Sequence, residues 1–354
     1  MAARVLSLWM LARLPAPAND LVVRPWLGYL RPMLQPPRTG TLVRQFLVPH
    51  HALTACFLLA VSLLSGGCVT APYRRWNSAD HPPPPQLLAI NDPQIERGAK
   101  FPIIDGIGWV IGIPDKIILW DRRVSNHHVS ADTEEAIARY LAENDLPAVK
   151  VRLNEYHPWD EWRRLVANKR VGWGWRYSLG TLSCLGYTVF PGRIWGGDNY
   201  NPFTNTVSIY SDVPAIGLHE GGHAKDFSRR RYPGTYAAAY VLVPGAPLWH
   251  EAVATNDALS YLHEHGTAEE QREGYRLLYP AYGTYVGGMG SDLITTRGPG
   301  GMLFYGAAVL GGHAIGRVKA ARIPDPPPEA PPAEVTEATG TADAAASEKG
   351  EAAP

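Results

Sequence analysis

The run His219-Glu220-Gly221-Gly222-His223 constrains this chain more than any other feature, because its two histidines can act together only on a helix. At 3.6 residues per turn, positions i and i+4 lie one above the other, so His219 and His223 can direct two imidazoles at one metal ion. Glu220 then stands beside that ion, placed to take a proton rather than to bind. Two interior glycines oppose the helix, each by about 1 kcal/mol relative to alanine. Their presence predicts that another element comes close at Gly221 and Gly222.

The flanks predict where this helix begins and ends. Ser211-Asp212-Val213-Pro214 offers N-capping oxygens, an early negative charge and a proline where the first turn needs no N–H partner. Arg229-Arg230-Arg231 opposes the macrodipole at the other end, and Pro233-Gly234 stops the helix. Asp226, three residues beyond His223, lies on the same side. It can hold the free nitrogen of a liganding histidine, or pair with Arg229 or Arg230.

HEGGH fits the HExxH pattern of zinc hydrolases, in which a third protein ligand leaves a fourth position for water. Downstream, Pro247 to Leu259 reads as a second helix carrying His250-Glu251-Ala252-Val253-Ala254. From Asp212 to Leu262 the chain resembles the gluzincin branch of the zincin metallopeptidases, whose HExxH is followed one or two helices later by a glutamate ligand in an E-A-x-x helix. The resemblance implies His219, His223 and Glu251 as ligands of one Zn2+, with Glu220 as general base on zinc-bound water. His250 and Asp226 are the rival third ligands. There are two departures. Four positions after the ligand glutamate, where thermolysin-like members carry an acid that orients a histidine, this chain has Thr255, and its acid is Asp257. The interval from His223 to Glu251 is also wide, and Gly234 to Tyr240 is expected to fill it with a short helix.

The expected fold class is α+β, a zincin-like domain with a small mixed sheet and an active-site helix. Ile103 to Trp120 reads as a strand pair about Gly112-Ile113-Pro114-Asp115, followed by a helix from Ser130 to Asn144, a strand from Val149 to Asn154 and a helix from Trp159 to Asn168. Val207 and Ile209 alternate with Ser208 and Tyr210 in a further strand, which either rims the cleft and pairs with an extended substrate or packs on the core. Ahead of it, Gly196 to Asn201 is an oxygen-rich turn, open to calcium or to a plain Asx-turn reading. Tyr279, Tyr282 and Tyr285 fall on an expected loop after a helix from Glu269 to Leu278, opened by the capping box Thr267-Ala268-Glu269-Glu270. Each is a candidate for stabilising an oxyanion or for packing.

The apolar run His51 to Leu64, followed by Ser65-Gly66-Gly67-Cys68, resembles a bacterial lipoprotein signal, with Cys68 as the lipidated residue. It is shorter than the roughly 20 residues that cross a bilayer. Met33 is the better start for such a signal, with Arg38 and Arg44 as its positive region. Residues 1–67 therefore read as extension and signal, 68–98 as a Pro-rich spacer, 99–320 as the catalytic domain and 321–354 as a disordered Pro/Ala/Glu-rich tail. Cys184 is left alone and reads as a buried small hydrophobe.

Lys plus Arg and Asp plus Glu number 33 each, and no basic stripe with interleaved aromatics appears, which argues against a nucleic-acid partner. The expected function is a zinc metallopeptidase of the cell envelope, membrane-anchored by lipid, with its catalytic domain outside the cytoplasm and a peptide or protein as substrate. The alternative is a non-catalytic envelope lipoprotein that keeps the fold as a binding or structural module. A third reading, a membrane-embedded hydrolase, turns on the small-residue run from Gly300 to Gly316, which is also compatible with a helix of the domain itself.

Overall fold

The computed structural model describes Tyr73, Arg74 and residues 93–294 and 299–325. The signal-like run, Met33, Cys56, Cys68, the proline row at 82–85 and nearly all of the tail lie outside the described residues. The described residues are mostly helical with a small mixed four-stranded sheet, and the main compact unit ends at Ile323.

The sheet runs in the order β1 (Ile95–Arg97), β2 (Lys150–Leu153), β4 (Thr206–Ile209), β3 (Asn199–Asn201), with β1, β2 and β4 parallel and β3 antiparallel to β4. All four residues of β2 and of β4 are buried, so the period of two divides each strand between two covered faces. Val151, Leu153, Val207 and Ile209 join the main core with Ile137 and Leu141 of α3 (Ala131–Glu143) and Leu218 of α8 (Pro214–Ser228). The opposite face carries Lys150 and Arg152, and it is covered by α4 (Pro158–Ala167) with charge rather than hydrocarbon. There Arg152 meets Glu155 at 2.8 Å, Glu96 at 3.1 Å, Glu161 at 3.2 Å and Asp160, while Arg164 donates to Asn205 O at 2.9 Å and Thr206 Oγ1 at 3.1 Å. A buried guanidinium is tolerable only when its donors are answered in this way.

Several elements fall where the sequence places them. Ser130 caps α3, its Oγ accepting from Thr133 N at 3.4 Å. The capping box opens α11 (Ala268–Ile294), with Thr267 N donating to Glu270 Oε2 at 2.7 Å and Glu270 N to Thr267 Oγ1 at 3.3 Å. Cys184 is fully buried in α6 (Thr181–Val189), and burial pushes its thiol up to about 12.

Others do not. Ile103 to Trp120 forms two helices, α1 (Pro102–Ile111) and α2 (Ile113–Leu119), not a strand pair. Pro102 and Pro114 each occupy a first turn, where a missing N–H costs nothing, and Asp105 accepts from Phe101 N at 2.9 Å. Trp120, left-handed at φ 56°, ends the second. β1 lies in the segment read as spacer. β4 is an interior strand, so it cannot rim a cleft; the edge belongs to β3. Asp212 caps α3 instead of α8, accepting from Ser130 N at 2.8 Å, and α8 starts from Val213 with no side-chain cap. The expected tyrosine loop is continuous helix, since α11 carries Pro280 in its interior. Packing along α12 (Pro299–Ala320) outweighs the lost hydrogen bond: a Cβ on Gly312 would stand 2.7 Å from Pro280 Cα. Thus the run from Gly300 to Gly316 is a helix laid against α11. Among the described residues no helix is long and apolar enough to cross a membrane.

Within α12, His313 is buried and stacks on Trp120 at 3.8 Å; its Nε2 donates to Ile118 O at 2.8 Å and its Nδ1 accepts from Arg317 at 2.9 Å. Burial first, and Arg317 with it, lower its pKa, so acid protonates the unfolded chain before the folded one. The contribution of His313 to stability is complete above about pH 6.5 and is lost as pH falls from there towards the folded value. Urea midpoints at about pH 7 and about pH 5 should differ less in His313→Phe than in the parent; equal differences would remove His313 from the acid response.

Candidate metal centre

The site forms where α8 meets α10 (Ala246–His265). α8 is buried along almost its whole length, which explains its tolerance of two glycines. A Cβ on Gly221 would stand 2.8 Å from the Tyr140 ring of α3, and one on Gly222 would stand 3.0 Å from Ala254 O of α10. Gly222 therefore lets the backbones of α8 and α10 approach, and that approach sets how far a side chain from α10 can reach.

Glu251 makes the crossing. Its Oε2 lies 3.1 Å from His219 Nε2 and 3.4 Å from His223 Nε2, and the three ligating atoms fall within 4.8 Å of one another. The two imidazoles stand edge to face with centroids 4.7 Å apart. Tetrahedral ligands at about 2.1 Å from a common ion lie about 3.4 Å from each other, so this spacing suits a small divalent cation. The donor set, two imidazole nitrogens and a carboxylate, suits zinc.

Burial and charge define the electrostatics. Burial pushes the Glu220 carboxyl up, against the pull of His219 and His223. Burial acts on Glu251 in the same sense, but His223 and His219 outweigh it and hold that carboxyl well below the usual range. Burial opposes the proton on His223, yet Glu251 raises its pKa to about 9. Two glutamates with opposite shifts thus share one site, one suited to carrying a proton and the other to remaining an anion.

Outer contacts hold Glu251 and His219 in place. Tyr240 of α9 (Pro233–Leu242) donates to Glu251 Oε1 at 3.0 Å, which leaves Oε2 turned to the histidines. Tyr285 of α11 also interacts with Glu251, and burial followed by that charge raises its pKa well above the phenol range. Thr255 Oγ1 lies 3.3 Å from His219 Nδ1, so the hydroxyl takes the place of an orienting acid. Asp257 is engaged elsewhere, binding Lys225 at 2.6 Å and the Tyr140 hydroxyl.

His219, His223, Glu220 and Glu251 are therefore together, whereas the rivals are apart. Asp226 pairs with Arg230 at 2.5 Å and accepts from the Tyr236 hydroxyl at 2.7 Å; the ion-pair reading of this residue is met and the histidine-holding one is not. His250 lies outside the cluster as a buried aromatic, stacked on Tyr236 at 3.9 Å. Of the expected oxygen-rich turn, Asn199–Asn201 form β3 instead, and Asp198 accepts from Tyr210 N at 2.7 Å and Ser211 N at 2.9 Å, which commits it to bracing the segment that leads into α8. Of the three candidate tyrosines, Tyr279 and Tyr282 are core residues and Tyr285 faces the site. Tyr240 escaped the sequence reading, since no motif spacing links it to Glu251. No family model, curated protein or solved structure matches this chain.

Thr255→Val keeps shape but removes the hydroxyl, and should weaken metal affinity roughly 10- to 100-fold with little change in thermal midpoint; unchanged affinity in a competition titration would show that His219 needs no such partner. Gly222→Val should cost about 1–3 kcal/mol by forcing α8 from α10, and should weaken metal uptake in parallel. A variant that unfolds later in urea than the parent would overturn the close-approach role.

Proposed function

We propose that this protein is a zinc-dependent hydrolase of peptide bonds, similar to gluzincin metallopeptidases, held in a cell envelope by lipid on Cys68. The observation that carries the reading is the convergence of His219, His223 and Glu251 from two helices, with the buried carboxyl of Glu220 beside them. His219, His223 and Glu251 would hold the ion, and zinc, when bound, supplies a Lewis acid that polarises a carbonyl and lowers the pKa of water towards 7. Glu220 accepts a proton from the attacking water and delivers it to the leaving amine nitrogen. Burial raises the pKa of Glu220, which strengthens it as a base, while a bound cation would act in the opposite sense. Tyr240 and Thr255 keep Glu251 and His219 aimed while this happens, and Tyr285 places a further hydroxyl at the site. The zincin likeness of the fold belongs to the same proposal and rests on the order of sheet, histidine helix and glutamate helix.

Metal analysis of the full chain, with a chelated control, should find about one zinc per molecule. Glu220→Gln should retain that zinc while losing roughly a hundred- to ten-thousand-fold of hydrolysis against a peptide library. Retained zinc with no hydrolysis by the parent would favour a binding module instead, and undiminished hydrolysis by the variant would remove Glu220 from the mechanism.

A further inference from the structure

Tyr73 is seated on the folded domain. Its hydroxyl donates to Asn144 Oδ1 at 2.7 Å, Lys225 lies 4.0 Å above its ring, and Tyr261 meets it edge to face at 5.3 Å. Its neighbour Arg74 is held through its carbonyl, which accepts from Arg229 at 3.0 Å. The chain is thereby fixed at the C-terminal end of α8 only five residues after Cys68. Five residues span at most about 18 Å by any path. Whatever surface Cys68 is attached to, this end of α8 lies next to it.

The composition of that end is distinctive. Arg229, Arg230 and Arg231 close α8, and Arg170 is tied to them by donating to Ser228 O at 2.8 Å and Arg230 O at 3.5 Å. Lys169 and Arg74 are exposed beside them. Two acids lie within the group and both are occupied, Asp226 by Arg230 and Tyr236 and Asp257 by Lys225 and Tyr140, while Glu143 reaches the border through His265, which packs on Tyr73. Among these cations Trp173 is 77 % exposed and Tyr232 65 % exposed. The two segments are joined by close packing, since a Cβ on Gly234 would stand 2.9 Å from Val171 and 3.1 Å from Trp175. Exposed Trp and Tyr rings set among Arg and Lys match the headgroup layer of an anionic bilayer, where the rings enter the interface and the cations meet phosphate.

We propose that this end of α8, comprising Arg74, Lys169, Arg170, Arg231, Trp173 and Tyr232, docks the domain onto an anionic lipid bilayer and so fixes the orientation of the site relative to the membrane. The proposal rests on the reading of Cys68 as a lipid attachment point for its membrane partner, while the charge and exposure of the surface stand independently. Seated Tyr73 makes the domain lie against the membrane instead of swinging on a long tether.

The test reconstitutes the full chain in vesicles of phosphatidylcholine alone, or with about a quarter phosphatidylglycerol, and follows acetylation of individual lysines by mass spectrometry. Acetylation of Lys169 should slow roughly threefold or more in the anionic vesicles, and recover at about 0.5 M salt, while exposed Lys100 is unaffected. Arg231→Glu combined with Trp173→Ser should abolish the slowing. Equal rates in the two vesicle types, equal slowing at Lys100, or slowing by inorganic phosphate without vesicles would each overturn the docking surface. Incorporation of labelled palmitate, lost in Cys68→Ser, reports separately on the lipid anchor, so failure of that reading is distinguishable from failure of the docking.

Discussion

Glu251 reaches the two histidines only because α8 and α10 pack with their backbones nearly touching at Gly222, where a Cβ would stand 3.0 Å from Ala254 O. The distances from Glu251 to the two imidazoles follow from that contact. A larger residue would separate the helices, and the carboxylate would no longer lie within 3.1 and 3.4 Å of both imidazoles. The two glycines are unfavourable to an isolated helix, but α8 is covered by α3, α10, α11 and the sheet, so tertiary packing replaces what local propensity withholds.

Charge placement follows the same economy of space. The main core faces the site side of the sheet, and the opposite side is sealed by Arg152 and Arg164 with their acidic and carbonyl partners. Around the site itself, burial acts on Glu220 and Glu251 alike and both feel the histidines, but Glu251 alone of the two is hydrogen-bonded to them, and its charge pushes Glu220 further up. In the proposed reaction that difference separates a proton carrier from a ligand. The orienting groups are hydroxyls, Tyr240 and Thr255, and neither brings a further negative charge towards the pair of imidazoles.

Much of the candidate site was legible because its chemistry is local. The i, i+4 spacing of His219 and His223 puts both rings on one side of any helix that contains them, and the glycines between them signalled a close neighbour. Glu251 was reached through a resemblance, since nothing in the spacing of 28 residues from His223 specifies contact. Asp226 and His250 could not be separated from it by sequence, because a residue three positions along a helix faces a ligand or an arginine equally well, and His250 adjoins Glu251 in the chain. Tyr240 was invisible for a related reason: its hydroxyl meets Glu251 only after α9 folds back on α10. The strand pair expected at Ile103 to Trp120 failed because a continuous apolar run has no period, and the first-turn prolines with Asp105 were the better signal. The loop expected at Tyr279 to Tyr285 failed because contact with α12 keeps α11 helical through Pro280.

By itself the sequence determined the helices with strong ends or strong spacing, such as α3 with Ser130, α11 with its capping box and α8 with its paired histidines, because hydrogen bonds and periodicity act within a few residues. Only the tertiary structure decided that Glu251 joins those histidines, that Asp226 is occupied by Arg230, that Asp212 caps a different helix and that β4 lies inside the sheet. Those outcomes depend on distances between elements far apart in the chain, and such distances are set by how backbones and side chains fill a common volume.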